Sequence, residues 1–143
     1  MKSHLLPLLF IVVLSVGCKS KEEIASVEGT VTMDGKPLEG ATVVFINTSG
    51  RPAGASTDAA GHYVLNFTKG RQGAIPGPNK VRISTIRDAG VDADGKPVPA
   101  QKERVPMRYN AQTTLEFEVK PGEKNIANFD LESKGPIVQS SSY

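Results

Sequence analysis

The sequence predicts an all-β protein, a seven-stranded Greek-key antiparallel sandwich of the prealbumin or immunoglobulin-like type. Apolar residues recur with a period of two in several separate short runs. Clusters of Gly, Pro, Asn and Asp punctuate those runs roughly every eight to twelve residues, the spacing of sandwich strands. Beyond residue 26 no stretch carries the apolar period of an amphipathic helix.

The N-terminus is of another kind. Lys2 precedes the apolar run Leu5 to Leu14, which has the length of a signal-peptide h-region. A transmembrane helix needs roughly 20 apolar residues, and Pro7 would disturb one. Residues 1–17 are therefore expected to be a cleaved signal peptide. The run closes on Leu14-Ser15-Val16-Gly17-Cys18, and Cys18 is the only cysteine, so it has no internal disulfide partner. This segment resembles a bacterial lipobox, with its Leu one position further from the cysteine than in the common pattern. The resemblance implies cleavage before Cys18 and a diacylglyceryl group on its sulfur. Two or three acyl chains anchor a protein durably where one does not. Residues 18–25 then form a polar tether. Lys19, in the place where Asp would retain a lipoprotein at the inner membrane, implies an outer-membrane destination.

The body, 26–132, divides as follows. Val27, Gly29, Val31 and Met33 alternate with polar residues in a half-buried strand, and Asp34-Gly35 is a strong hairpin signal. Ala41 to Ile46 is apolar on both faces, as in an interior strand. Ala53 to Thr57 reads as a short strand, Asp58 to Gly61 as a turn, and His62 to Thr68 as a strand with Tyr63, Leu65 and Phe67 on one face. Lys69 to Pro78 reads as loop, and Lys80 to Ile86 as a strand that turns Val81 and Ile83 inward. Residues 87–113 form the longest irregular stretch, and connections of that length are functional or disordered. Leu115, Phe117 and Val119 alternate, Pro121 to Lys124 turns, and Ala127, Phe129 and Leu131 alternate again. The expected core is Val27, Val31, Val43, Phe45, Tyr63, Leu65, Phe67, Val81, Ile83, Leu115, Phe117, Phe129 and Leu131, with the Tyr63 ring beside Phe45 and its hydroxyl at the rim. The tail 133–143 is polar and is expected to be disordered.

Val27-Glu28-Gly29-Thr30-Val31, then Asp34 to Val43, then Thr57-Asp58-Ala59-Ala60-Gly61-His62-Tyr63 and Gly73 to Gly77, together resemble a carboxypeptidase regulatory-like domain. Val105 to Asn110, then Leu115, Val119, Gly122 and Phe129-Asp130-Leu131, are similar to the C-terminal half of small bacterial lipoproteins carrying that domain. The resemblance implies a transthyretin-like sandwich with an accessory, non-catalytic role.

The residues offer little chemistry. Of 143 residues, 38% are apolar and 22% charged, an ordinary globular balance. The net charge of +2 falls to about +1 when residues 1–17, with one Lys and no acid, are removed, which gives no electrostatic case for nucleic acid. His62 is the one histidine of the mature chain, too few for a His-based metal site or a nucleophile-base pair. It is expected to be an exposed strand residue. Asp88, Asp92 and Asp94 suggest a calcium loop but lack the full spacing of one, and a hairpin tip is the expectation. No cofactor and no enzymatic activity are expected. Arg104, Arg108 and Tyr109 are of residue types enriched at binding hot spots and form the candidate binding patch. The favoured alternative for Tyr109 is that it pins the loop to the sandwich. The expected function is a lipid-anchored envelope protein, with the membrane as its partner through Cys18 and an envelope protein or glycan as a further one. The alternative is a glycan- or ligand-binding module that uses the loop 87–113.

Overall fold

The computed structural model describes residues 23–68 and 70–139, so Cys18 and the expected signal peptide lie outside the described residues. The strands are β1 (Val27–Met33), β2 (Lys36–Pro37), β3 (Thr42–Asn47), β4 (Pro52–Ser56), β5 (His62–Val64), β6 (Asn66–Thr68), β7 (Arg71–Gln72), β8 (Gly77–Ser84), β9 (Gly90–Val91), β10 (Pro97–Val98), β11 (Glu116–Val119), β12 (Asn125–Ile126) and β13 (Phe129–Leu131). A single 3-10 turn, Met107–Tyr109, lies between β10 and β11. The expected all-β sandwich is present. Its larger sheet is antiparallel throughout, in the order β11-β8-β3-β4-β6-β7. Its smaller sheet is built around β1, and β9 and β10 form a separate hairpin.

The structure departs from the expected strands in several places, among them Lys69 to Pro78, expected as loop, which contains β7 and the first two residues of β8. The run 62–68 is not one strand. Its first half pairs with β1 and its second half with β4, so the chain changes sheets at Leu65, whose N–H still reaches Val27 O at 3.0 Å. The run 125–131 pairs with β1 in parallel, in one constant register from Val27↔Asn125 to Met33↔Leu131, where an antiparallel arrangement was expected. The reason is the turn at 120–125, which is a corner between sheets and not a hairpin. β11 runs toward the pole at which β1 begins, and the chain crosses there and returns alongside β1 in the same direction. Alternation reports which face a side chain takes, not which way its neighbour runs.

The expected core residues are all buried except Leu115 and Phe117, which pack half-buried against the cluster. Phe45 meets Phe117 and Phe129 edge-on, at centroid distances of 5.8 and 6.3 Å. Tyr63 corrects the expected position of its hydroxyl. The group is buried, not at the rim, and donates to Ala127 O at 2.6 Å, tying β5 to the last strand segment, while desolvation pushes its pKa well up. Val44 and Ile46 are half-buried on the outer face of the larger sheet. There they line a shallow groove of about 440 Å³ with Thr42, Pro52, Arg82, Ser84 and Ile86.

Glycine is required at the contact between β1 and the returning chain. A Cβ on Gly29 would lie 1.8 Å from Ala127 O. We expect Gly29→Ala to cost about 3 kcal/mol, at the upper end of overpacking because the obstacle is backbone. Gly90→Ala, where a Cβ meets nothing within 4 Å, should leave the urea midpoint unchanged. Equal midpoints for the two variants would refute the close-approach reading.

Candidate functional site

The long connection after β8 contains the side chains singled out in the sequence. Its first part is a hairpin, closed at the base by the Arg87–Gln101 bridge and at the tip by Asp92. The Asp92 carboxylate accepts the N–H groups of Asp94 and Lys96 at 2.9 Å each. Asp58 makes the same turn, accepting from Ala60 and His62 at 2.9 Å each. In both turns a Gly at the fourth position has positive φ. The hairpin tip was expected. Asp94-Gly95-Lys96-Pro97 copies Asp34-Gly35-Lys36-Pro37 in sequence, yet only Asp34 and Gly35 both take positive φ (51° and 77°), as a two-residue hairpin requires. Among the described residues, no group of three His, Cys, Asp or Glu side chains is arranged to hold a metal. Asp88, Asp92 and Asp94 are exposed, with Asp92 committed to the turn, and His62 is half-buried.

Beyond the hairpin the chain runs inward, and here lies a residue that the sequence did not single out. Glu103 is only 5% exposed. Its Oε2 accepts the Ser84 hydroxyl at 2.5 Å. Its Oε1 accepts from Thr85 N–H (2.8 Å), Thr85 Oγ1 (2.9 Å), Arg104 N–H (3.0 Å) and Val105 N–H (3.0 Å). One carboxylate thus fastens the loop to the end of β8. Burial pushes the Glu103 carboxyl up, but the hydrogen bonds from Ser84, Thr85 and Val105 outweigh it and hold the group below the usual carboxylate range. Nothing in Gln101-Lys102-Glu103-Arg104 signals this, because such a polar run reads as solvated surface.

The candidate patch is not assembled as an open site. Arg104 turns toward Glu39 O, which it reaches at 2.9 Å. Arg108 points elsewhere and donates to the carbonyls of Glu132 (2.9 Å) and Lys134. It also lies 4.6 Å from the Tyr109 ring centroid and 3.8 Å from the Glu132 carboxylate, an exposed ion pair worth little in itself. The Tyr109 hydroxyl accepts Glu132 N–H at 3.2 Å, and its ring packs half-buried against the core. The structure brings Arg108 and Tyr109 together and gives both to the chain's own C-terminal segment, and Tyr109 pins the loop. The tail expected to be disordered from Ser133 onward is instead held as far as Gln139. The reason is backbone pairing: Met107 N–H meets Pro136 O, and the Gln139 side-chain amide meets both Glu103 N–H (2.9 Å) and Glu103 O (2.8 Å).

The chain matches no family model and no curated protein. Among solved structures it is similar to BcpA, the major pilin subunit of Bacillus cereus, at 11% identity and a TM-score of 0.47 over 78% of this chain and 31% of the pilin. It is also similar to a 9R-lipoxygenase from Cyanothece PCC8801, at 16% identity and a TM-score of 0.39 over 78% of this chain and 16% of the enzyme. The chain spans less than a third of either protein. Neither likeness bears on what this chain binds or does.

The lowered Glu103 value has a pH consequence. A group whose folded pKa is depressed contributes stability in full above its unfolded value and loses it as pH falls through the folded one. Glu103→Gln should cost about 2 kcal/mol at neutral pH by leaving buried donors badly met. It should also make the loss of stability below about pH 4 less steep than in the wild type. Urea midpoints taken from about pH 3 to about pH 7 test both. Parallel curves for the two proteins would remove Glu103 as the acid-sensitive group.

Proposed function

We propose that the chain is a lipid-anchored bacterial envelope protein whose sandwich is a non-catalytic structural or interaction module. The observation that carries the module reading is the use of the buried polar side chains. Asn47 reaches Pro76 O and Pro78 O, and Asn79 reaches Ile75 O and Gly77 O. Thr57 bridges Leu38 O and Ala41 N–H, while Thr113 reaches Val81 O. Asn110 holds Val105 O, and Asn125 holds Lys120 O and Ser26 O. Each is spent on the chain's own backbone, most of them at a loop or corner, where a catalytic group would face a reactant. The resemblance to carboxypeptidase regulatory-like domains supports the same accessory role.

The anchored reading is supported by the lipobox-like Leu14 to Cys18 and by the place where the body begins. Ala25 bridges Ala74 just before β1, and the hairpin of β9 and β10 leaves from the other pole, where Gln101 reaches Gly40 O. A tether of residues 18–25, at about 3.5 Å per residue, spans at most about 25 Å. A lipid on Cys18 would thus hold the pole where β1 begins within about 25 Å of the membrane. Lys19 supports the outer membrane as the destination.

Intact mass and membrane fractionation from a bacterial host test this, with Cys18→Ser alongside. The expected wild type begins at Cys18, carries diacylglyceryl mass and pellets with membranes, and the variant does none of these. A soluble, unacylated wild type would sink the anchor.

A further inference from the structure

The pole at which β1 begins carries two cations that the candidate patch does not include. Two loop tips meet there, 47–51 between β3 and β4 and 68–71 between β6 and β7. Ala25 bridges Ala74 beside them, and Leu65 N–H reaches Val27 O. Phe67 closes the core at this end and is 9% exposed. Arg51 and Arg71 both lie over its ring, at 5.9 and 5.5 Å from the centroid. Both distances are in the range of a cation–π contact, which holds the two like charges beside one ring. Each guanidinium is a planar fork of N–H donors that matches phosphate oxygens two at a time. Gly50 and Gly70 turn the tips at positive φ, and a Cβ on either would meet nothing within 4 Å. Thr48, Ser49 and Thr68 are exposed alongside. Lys69 precedes Arg71 by two positions in the sequence.

The other flank of the same pole differs. On the corner after β11, Lys124 lies 2.6 Å from the Glu28 carboxylate and Lys120 lies 3.9 Å from that of Glu123. The cations of that corner are matched by acids, whereas Arg51 and Arg71 gather positive charge at the β6–β7 edge of the larger sheet. We propose that Arg51 and Arg71 form a docking surface for the headgroups of an anionic phospholipid bilayer, the one to which the chain is anchored. The proposal rests on the lipid-anchor reading. Arg71 stands three residues before Ala74, and Ala74 bridges the last residue of the tether, so patch and tether end lie at one place on the domain. Each cation near an anionic surface strengthens binding about fivefold. Two of them are too weak to recruit a protein from solution. They suffice once the tether holds the domain within about 25 Å of the surface, because docking is then intramolecular. The lipid supplies attachment, and the arginines select which face of the sandwich rests on the bilayer.

The test uses the chain from Cys18 onward, which contains every described residue, with its single thiol coupled to a maleimide-bearing lipid in vesicles. Amide hydrogen exchange is compared on phosphatidylcholine alone and on equal parts phosphatidylglycerol and phosphatidylcholine. The amides of 48–51 and 70–72 should exchange about tenfold more slowly on the anionic vesicles. Those of the β9–β10 hairpin should exchange alike on both. About 0.5 M sodium chloride should remove the difference. Arg51→Gln with Arg71→Gln should remove it too. Arg51→Lys with Arg71→Lys, which keeps the charge and gives up the planar group, should retain most of it. The urea midpoint of each variant checks its fold, and the comparison of lipids on the wild type needs no variant. Equal exchange on the two lipids would overturn the proposal, as would protection that survives salt or the Gln pair. Loss of protection in a folded Lys pair would make packing on Phe67 the cause and remove charge. Inorganic phosphate that abolishes the protection at an ionic strength where chloride does not would make the arginines a site for a discrete anion and remove the bilayer as partner. Because the lipid is attached chemically, these outcomes judge the patch, and the mass of Cys18 in cells judges the anchor.

Discussion

Asn125 stands where the chain leaves the larger sheet for the smaller one, and its one side chain closes that corner. Its carbonyl oxygen accepts Lys120 N–H at 2.8 Å, and its amide reaches Lys120 O, Glu123 O and Ser26 O. A chain that changes sheets leaves backbone groups that no ladder can satisfy, and a buried unpaired group costs as much as a lost hydrogen bond. The whole sandwich is governed by that constraint. Asn47, Asn79 and Thr57 meet backbone groups next to loops and turns in the same way, Thr113 meets Val81 O within β8, and Glu103 does the same for the long loop with a full charge. The buried polar residues of this fold are the joinery of a sandwich whose strands are short and whose crossings are frequent.

That constraint explains how much of the fold was legible in the sequence. Period-two alternation in β1, β8 and β11 and the Asp34-Gly35 hairpin depend on local geometry, so they could be read. The sheet change at Leu65 could not, because Tyr63, Leu65 and Phe67 keep one unbroken alternation while their backbone partners change. The parallel run 125–131 was hidden for the same reason. Ala25, Leu38, Ala74 and Val105 also belong to the core but lie outside any long alternating run.

The candidate site was legible in residue type and not in circumstance. Arg108 and Tyr109 were picked out as recognition residues, and they do recognise something: the backbone of residues 132–134. Arg104 was grouped with them by proximity in sequence, but its guanidinium faces Glu39 O. Glu103, just before Arg104, gave no signal, since its role depends on Ser84 and Thr85, some eighteen residues earlier in the chain.

The parallel pairing also sets an order of events. β1 is among the first segments of the body to emerge, and its partner on one side, residues 125–131, lies 98 positions later in a fixed register. Its other side is met early, by β2 and β5. In a chain delivered N-terminus first, one flank of β1 therefore stays an open sheet edge until nearly all of the body has arrived. Contacts of such sequence separation form slowly, and open edges invite pairing with other chains. The period between arrival of β5 and arrival of residues 125–131 is when this protein most needs to be kept from its neighbours.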